Sequence, residues 1–208
     1  MDLPLPEYRA LLEGYHRFRA QQYVTQKRRW EHLATGQEPP IMIIACCDSR
    51  VDPAVIFDIE PGQAFVLRNV ANLVPPFETG GGLHGASAAI EFGVTQLNVR
   101  HLVVMGHGAC GGVAAALRQD RKFEGTFIDG WIALLDGARE KVMIADPADP
   151  QLAMEEEGVR TSLANLRTFP FVTEREAAAK LSLHGCHFSI IRGQLSLLDE
   201  AENFFRPA

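Results

Sequence analysis

The sequence predicts an α/β domain built on a mostly parallel β-sheet, with four parallel strands and one antiparallel edge strand, flanked by helices. Two observations carry this prediction. Short, continuously apolar segments are typical of strands that are buried on both faces, and segments with helical spacing alternate with them. A polar segment, residues 1–36, precedes the predicted α/β domain of residues 37–208 and is expected to form a long helical arm.

Strands are predicted where apolar runs are short and rich in β-branched residues. The runs IMIIAC, AFVLR and HLVVMG predict strands at residues 41–46, 64–68 and 101–106. The segment LSLHGCHFSIIRGQLSLLD, residues 181–199, predicts two further strands joined by a tight Arg-Gly turn. In open sheets of this kind, ligands gather beyond the carboxyl ends of the parallel strands, so we expect functional residues there.

Helices are predicted where apolar residues recur at helical spacing. Residues 7–33 are predicted as a long helix or a bent pair, which the breaker GQEPP ends. A glycine-rich turn is followed by a predicted helix at residues 83–97, and the segment CGGVAAAL begins another. Residues 126–167 are predicted to be helical, with an interruption at ADPADP.

Composition and charge exclude several classes of protein. The 208 residues include 20 basic and 26 acidic side chains, and this net charge of −6 does not suit a nucleic-acid binder. No apolar run approaches the length of about 18 residues that a membrane span needs. The amino-terminal sequence MDLPLPEYRA has neither the basic nor the apolar part of a secretory signal. We therefore expect a cytoplasmic protein without nucleic-acid or membrane partners.

Two clusters of reactive side chains follow two of the predicted parallel strands. The segment CCDSR, residues 46–50, ends the first strand, and GHGACGG, residues 106–112, ends the third. Adjacent parallel strands would bring both loops to one edge of the sheet. Two thiolates and one imidazole, those of Cys46, Cys110 and His107, are good ligands for Zn²⁺. Three protein ligands leave one position for water, as in catalytic zinc sites.

Asp48 and Arg50 lie in the same loop as Cys46. Arg50 can hold the Asp48 carboxylate ionised through a bidentate pair, which also keeps Asp48 from becoming a fourth ligand. Asp48 would then accept a hydrogen bond from a zinc-bound hydroxide. Cys47 and Cys186 are interpreted as small apolar side chains of the core.

Two other interpretations of these residues stay open. Residues 108–112 have the pattern Gly-x-Cys-x-Gly between a strand and a helix, which mimics the nucleophile elbow of an acyl hydrolase or amidotransferase with Cys110 as the nucleophile. His184 or His187 would then serve as its base, and Cys46 and His107 would have no role. A zinc-stabilised scaffold with Asp48 as the fourth ligand is the second alternative.

The paired motifs Cys-x-Asp-Ser-Arg and Gly-His-x-x-Cys-Gly-Gly resemble those of the β-class carbonic anhydrases. Similar segments are found at residues 60–62, 65–74, 89–92 and 183–185, so the resemblance covers residues 37–198. It implies reversible hydration of CO₂ to bicarbonate and a proton through a zinc-bound hydroxide. One Zn²⁺ per subunit would be held by Cys46, His107 and Cys110, with Asp48 and Arg50 as the catalytic dyad.

The resemblance also implies residues around the substrate. Gln37 would hydrogen-bond the substrate, and an apolar wall around CO₂ would consist of Phe65, Val70 and Phe92. Many members have Tyr in place of Phe92, so a hydroxyl role is absent here. Related enzymes hydrolyse CS₂ or COS with the same zinc ligands, which leaves these substrates as an alternative.

A subtype and an assembly follow from the same resemblance. Bicarbonate-regulated members have a Trp where this chain has Ile43, whereas Arg68 occurs in both subtypes, so a plant-like subtype with an open zinc position is favoured. Family members are homodimers or higher even oligomers, and the helix at residues 7–33 would lie on the partner. The candidates for a proton carrier are His16, His32, His84, His101 and His187.

Overall fold

The computed structural model describes residues 6–80, 82–118 and 124–208. Residues 1–5 of the predicted arm and Gly81 of the glycine-rich turn lie outside the described residues. Contacts group the chain into two units, of which the first ends at Gln37 and the second comprises Glu38–Ala208. None of the described helices has the length and apolar character that crossing a lipid bilayer requires.

The first unit is helical. It contains α1 (Pro6–Ala20), α2 (Gln22–Thr25) and α3 (Lys27–Leu33), so the predicted bent helix has two breaks. The rings of Phe18, Tyr23 and Trp30 contact one another with centroids 5.5 to 6.3 Å apart. None of the residues of these three helices is buried. The helices of this unit therefore share an aromatic contact cluster, and none of their residues forms a buried core.

The second unit contains a six-stranded sheet in the order β2-β1-β3-β4-β5-β6. The strands are β1 (Ile41–Cys46), β2 (Ala64–Asn69), β3 (His101–His107), β4 (Ser182–Ser189), β5 (Gln194–Asp199) and β6 (Phe204–Pro207). The first four are parallel, and β5 runs antiparallel to β4. The predicted fold class is confirmed. The edge strand, however, is β6, which pairs antiparallel with β5 and was not predicted because it is only four residues long.

Helices surround the sheet, and their bounds refine the predicted ones. The predicted helix at residues 83–97 is an α-helix that continues as a π-helical turn, Phe92–Gln96. Short 3₁₀ turns occupy Val70–Asn72 and Ala133–Leu135. The α-helices of this unit are α4 (Pro53–Ile56), α5 (Gly85–Glu91), α6 (Gly111–Leu117), α7 (Phe127–Ile132), α8 (Asp136–Ala145), α9 (Pro150–Leu166) and α10 (Pro170–Ala177). Of these, α4 and α10 were not predicted.

Both faces of the sheet are covered by apolar layers. Successive side chains of a strand point to opposite faces, so Met42 and Ile44 enter one layer while Ile43 and Ala45 enter the other. Helix α9 contributes Val159 to the layer of Met42. Burial on both faces explains why the central strands appear in the sequence as unbroken apolar runs.

The strand register places the predicted functional loops side by side. Cys46 at the end of β1 is opposite Asn69 of β2, and Ala45 is opposite Met105 of β3. Because these strands are parallel, their carboxyl ends meet at one edge of the sheet. The loops after β1, β2 and β3 therefore begin beside one another.

Gly185 allows α9 to pack closely on β4. A Cβ atom at this position would lie 2.9 Å from Val159 Cγ1, 3.0 Å from Leu163 Cδ1 and 3.1 Å from Leu198 Cδ2. We expect Gly185→Ala to lower the free energy of unfolding by about 1–3 kcal/mol, because an extra methyl group overpacks this contact. Urea denaturation followed by circular dichroism at a fixed protein concentration measures the change.

The matched control is Gly137→Ala in α8, where a Cβ atom would meet nothing within 4 Å. This change should leave the free energy of unfolding unaltered or raise it by up to about 1 kcal/mol, because alanine favours a helix over glycine. Equal effects of the two substitutions would contradict the close packing at Gly185.

Candidate metal centre

Three buried side chains come together at the carboxyl edge of the sheet. The ligand atoms of Cys46, His107 and Cys110 all lie within 4.8 Å of one another, and the two sulfur atoms are 4.0 Å apart. Zn–S bonds of about 2.3 Å in a tetrahedral site place two sulfurs about 3.8 Å apart. The three predicted ligands are therefore brought together at a spacing that fits zinc.

The orientation of the His107 ring also fits a metal ligand. Its Nδ1 donates to the Gly108 carbonyl oxygen at 3.0 Å, which fixes the tautomer and leaves the lone pair on Nε2. Nε2 is buried and has no hydrogen-bond partner among the described residues. A buried acceptor without a partner is unfavourable, and a metal ion would satisfy it.

Local backbone geometry brings the two ligands of the second loop together. His107 is the last residue of β3, and Cys110 immediately precedes α6. Between them, Ala109 has a left-handed φ of 56°. For a residue with a Cβ atom, this conformation costs about 1–2 kcal/mol. The tight turn reverses the chain so that the imidazole and the second thiol can face the same point.

The two thiols differ in acidity. A hydrogen bond from Cys110, the adjacent His107 ring and the backbone amides of Asp48 and Ala71 lower the pKa of Cys46 to about 4, against the effect of burial. The thiolate of Cys46, together with burial, raises the pKa of Cys110. Two negative charges 4.0 Å apart in a buried site repel each other, so one thiol opposes loss of the proton of the other. A divalent cation would remove that penalty and release the proton.

The loop after β2 closes the site from the side. Asn69 brackets a turn: its Nδ2 donates to the Leu73 carbonyl oxygen and its Oδ1 accepts from the Leu73 amide, both at 2.8 Å. Inside this turn, Ala71 has a left-handed φ of 62°. A Cβ atom at Gly112 would lie 2.8 Å from Val70 Cγ1, so only glycine lets α6 approach this loop so closely.

Arg68 pins the loop that follows β1. Its Nε donates to the Cys46 carbonyl oxygen at 2.9 Å and its Nη2 to the Asp48 carbonyl oxygen at 2.8 Å. Its Nη1 donates to Asp52 Oδ2 at 2.7 Å, and Asp52 in turn caps the amino terminus of α4 through the Ala54 amide. This side chain thus fixes the backbone on both sides of the exposed Cys47.

Asp48 and Arg50 form the predicted bidentate pair. Arg50 Nε and its backbone amide donate to Asp48 Oδ1 at 2.9 and 3.0 Å, and Nη2 donates to Oδ2 at 2.6 Å. The guanidinium holds the pKa of the Asp48 carboxyl well below its usual range. Arg50 Nη2 also donates to the Ala109 carbonyl oxygen at 3.0 Å, which ties the two ligand loops together.

The residues predicted to surround the substrate do not all lie near the metal ligands. Val70 lies beside α6, in the turn that closes the site. Phe65 lies four residues before Asn69 on β2, about 13 Å along the strand from the level of Cys46. Phe65 contacts Phe92, with ring centroids 5.9 Å apart. Within one chain these two rings are thus displaced from the ligands along the sheet, and their substrate role stays a prediction.

The other cysteines differ in environment. Cys186 is buried in β4, as interpreted from the sequence, and burial raises its pKa to about 12. The interpretation is wrong for Cys47, which is exposed because its neighbour Cys46 points into the core. Cys110 itself is 1% exposed, whereas a nucleophile elbow presents its nucleophile to the substrate.

Three of the histidines proposed as proton carriers have a partner for a ring nitrogen in the fold, and His84 contacts the Gly80 carbonyl oxygen at 2.9 Å. His101 Nδ1 lies 3.1 Å from His184 Nε2. The two residues lie near the amino-terminal ends of β3 and β4, whereas the metal ligands lie at the carboxyl edge of the sheet. His187 is buried, and its Nε2 donates to Glu155 Oε2 at 3.0 Å. Because a proton carrier must exchange with solvent, burial argues against His187 in that role.

Two polar residues that the sequence analysis missed lie beside Cys110. Glu155 and Gln151 on α9 contact its backbone amide and carbonyl groups. A signal was present in the sequence, because Glu155 stands four and eight residues before Val159 and Leu163 in an apolar row of the helix. A carboxylate in such a row indicates a buried polar partner.

Comparison with known proteins identifies the family. The model of the carbonic anhydrase family matches residues 41–195. β-carbonic anhydrase 3 of Arabidopsis thaliana is 33% identical over 192 residues, which cover 88% of this chain and 74% of that protein. This chain therefore belongs to the β class of the carbonic anhydrases, enzymes that use zinc to hydrate CO₂.

Solved structures agree with this assignment. The structure of the β-carbonic anhydrase CcaA has a TM-score of 0.91 and 30% identity, with 97% of this chain and 92% of that chain covered. A tetrameric β-carbonic anhydrase of the filamentous ascomycete Sordaria macrospora has a TM-score of 0.84 and 30% identity, with 94% and 98% covered. The fold of this chain thus occurs in proteins of known class.

The ligand assignment leads to a metal-binding prediction. We expect Cys110→Ala to lose bound zinc and CO₂ hydration together, because two remaining ligands hold the ion too weakly for a stable site. Elemental analysis of the purified protein and a stopped-flow hydration assay measure both quantities. Cys47→Ala is the control, since Cys47 is exposed, and it should retain both. Full zinc content in Cys110→Ala would remove this residue from the ligand set.

Proposed function

We propose that this carbonic anhydrase works with the fourth zinc position open to water, as in the plant-like subtype. One observation carries the proposal: Arg50 engages both carboxylate oxygens of Asp48. The candidate metal cluster found among the described residues contains Cys46, His107 and Cys110 and no carboxylate. A carboxylate that is already paired with a guanidinium has little to gain from leaving it for the metal.

In this mechanism, Asp48 and Arg50 would orient the nucleophile beside the zinc ion. Zinc, when bound, supplies the Lewis acidity that lets a water molecule ionise near neutral pH. Asp48 remains ionised and can only accept hydrogen bonds. It would therefore accept a hydrogen bond from the O–H group of the nucleophile and so direct an oxygen lone pair toward CO₂. Arg50 holds the carboxylate in place and, through Ala109, keeps it aligned with the loop of His107 and Cys110.

Substitution of Asp48 tests its role. We expect Asp48→Asn to keep zinc but to lower the rate of CO₂ hydration by about 10- to 100-fold, a typical loss for a residue that orients a metal-site group. The amide loses the charge pair with Arg50 and offers an N–H where only an acceptor is useful. Stopped-flow hydration with a pH indicator, together with zinc analysis, measures both effects. Asp58→Asn, at an exposed loop position, is the control, and a wild-type rate in Asp48→Asn would exclude Asp48 from the mechanism.

An apolar row on α1 supports the proposal that the protein is a homodimer or a higher even oligomer. Tyr8, Leu11, Leu12 and Tyr15 recur at the spacing of one helix face, and they are 38 to 70% exposed. A contiguous apolar surface of this kind marks an interaction site. We propose that this row covers a second copy of the chain, in keeping with the tetrameric relatives of Sordaria macrospora.

Such a contact also offers a place for the predicted substrate residues. Phe92 is 45% exposed and lies against Phe65, away from the ligands of its own chain. We propose that these two rings reach a substrate only across a subunit contact. Gln37, the last residue of the first unit, remains the predicted hydrogen-bonding partner of the substrate. The cytoplasmic location also remains a prediction.

The assembly is tested by a pair of neighbouring substitutions on α1. Leu11→Glu places a charge in the apolar row and is expected to shift the protein toward smaller species in sedimentation velocity, because a buried unpaired charge weakens an interface. Ala10→Glu, on the opposite face of the same helix, should leave the distribution unchanged. A wild-type distribution for Leu11→Glu would contradict the proposed contact.

Activity measurements on the zinc-loaded protein distinguish CO₂ from the alternative substrates CS₂ and COS. Zinc-loaded wild-type protein should accelerate CO₂ hydration, measured as proton release in stopped flow. If CO₂ hydration is absent and CS₂ or COS is hydrolysed to hydrogen sulfide, the alternative substrates are correct and the zinc site stands.

A further inference from the structure

Two side chains of α9 form hydrogen bonds with the backbone amide and carbonyl groups of one ligand, Cys110. Its amide N–H donates to Glu155 Oε1 at 3.0 Å, and its carbonyl oxygen accepts from Gln151 Nε2 at 3.2 Å. Gln151 Nε2 also donates to Glu155 Oε1 at 2.6 Å. Because the two side chains are four residues apart, they stand on the same face of the helix, one turn from each other.

The second carboxylate oxygen of Glu155 is also hydrogen-bonded. Its Oε2 accepts from His187 Nε2 at 3.0 Å, and the two residues are only 3% and 4% exposed. His187 lies opposite Gly106 in the register of β4 with β3, and Gly106 directly precedes the ligand His107. The contacts therefore form a closed path from Cys110 through α9 and β4 to the strand that carries His107.

Burial of a carboxylate is unfavourable unless its oxygens are hydrogen-bonded, and apolar side chains would fill this space at less cost. The following turns of the same row of α9 do contain apolar side chains, Val159 and Leu163. The two turns of this row that contact Cys110 thus contain polar side chains, Gln151 and Glu155, in place of apolar ones. This placement points to a task at Cys110 rather than to general packing.

We propose that Glu155 and Gln151 are positioning residues that hold the backbone of Cys110 and so preset the direction of its sulfur toward His107 and Cys46. The chain turns sharply just before Cys110, at Ala109, and this strained turn would relax if Cys110 were free to move. Holding a ligand in its final geometry reduces the ordering that metal binding requires. The inference rests on the proposed zinc site, and its test uses readouts other than CO₂ hydration.

Three substitutions on α9 test the inference. Glu155→Leu removes the acceptor for the Cys110 amide, Glu155→Gln retains an acceptor oxygen while it removes the charge, and Gln151→Met removes the donor to the Cys110 carbonyl. Glu157→Gln is the matched control, because Glu157 bonds Lys141 and makes no contact of this kind with the ligand loop. Each full-length protein is loaded with zinc or with Co²⁺.

Two measurements follow. Zinc release into a chromogenic chelator is expected to be about 10- to 100-fold faster for Glu155→Leu, the usual effect of removing a group that orients a ligand. Gln151→Met should change in the same direction by less, while Glu155→Gln and Glu157→Gln should stay close to wild type. In the Co²⁺ proteins, the thiolate-to-metal absorption should shift in Glu155→Leu and be restored in Glu155→Gln, which a purely structural role would not produce.

The outcomes separate the hypotheses. Wild-type zinc release and an unchanged Co²⁺ spectrum in Glu155→Leu would overturn the inference. If Glu155→Leu does not fold, Gln151→Met decides: faster release supports the positioning role, and a wild-type rate overturns it. Failure of the wild-type protein to bind zinc would instead overturn the proposed metal site on which the inference rests.

Discussion

Two sulfur atoms held 4.0 Å apart in a buried pocket are the constraint on which the rest of this structure depends. Left alone, the two thiols cannot both ionise, and the buried Nε2 of His107 has no partner among the described residues. Both features are unfavourable by themselves and become favourable around a divalent cation. The parallel pairing of β1 with β3 makes the arrangement possible, because it brings Cys46 to the same edge as the loop of Cys110.

Side-chain hydrogen bonds to backbone groups hold this arrangement together. Arg68 binds the carbonyl groups of Cys46 and Asp48, and Arg50 links Asp48 to the carbonyl oxygen of Ala109. Glu155 accepts a hydrogen bond from the backbone amide of Cys110 in the second ligand loop. The loops around the site are thus tied by charged side chains at several points. A catalytic zinc site needs such support, because small changes in ligand direction alter how a bound water is oriented.

The sequence predicted the ligand set because the chemistry sits in short motifs directly after buried strands. A strand gives an unbroken apolar run, and the parallel arrangement then places Cys46 and His107 at one edge without further information. The role of Glu155 was not predicted, because it depends on which turn of α9 meets the second ligand loop. Strand β6 was not predicted because four residues are too few to show a strand's hydrophobic pattern. Cys47 was wrongly predicted to be buried because the exact end of β1 decides which of two adjacent cysteines points inward.

A crystal structure of the zinc-loaded protein at neutral pH would show directly which atoms bind the ion. We expect a tetrahedral ion bound by Cys46 Sγ, His107 Nε2, Cys110 Sγ and a water molecule, with Asp48 still paired with Arg50. An Asp48 oxygen in the fourth position would contradict the open site, and an ion bound elsewhere in the chain would contradict the ligand assignment itself.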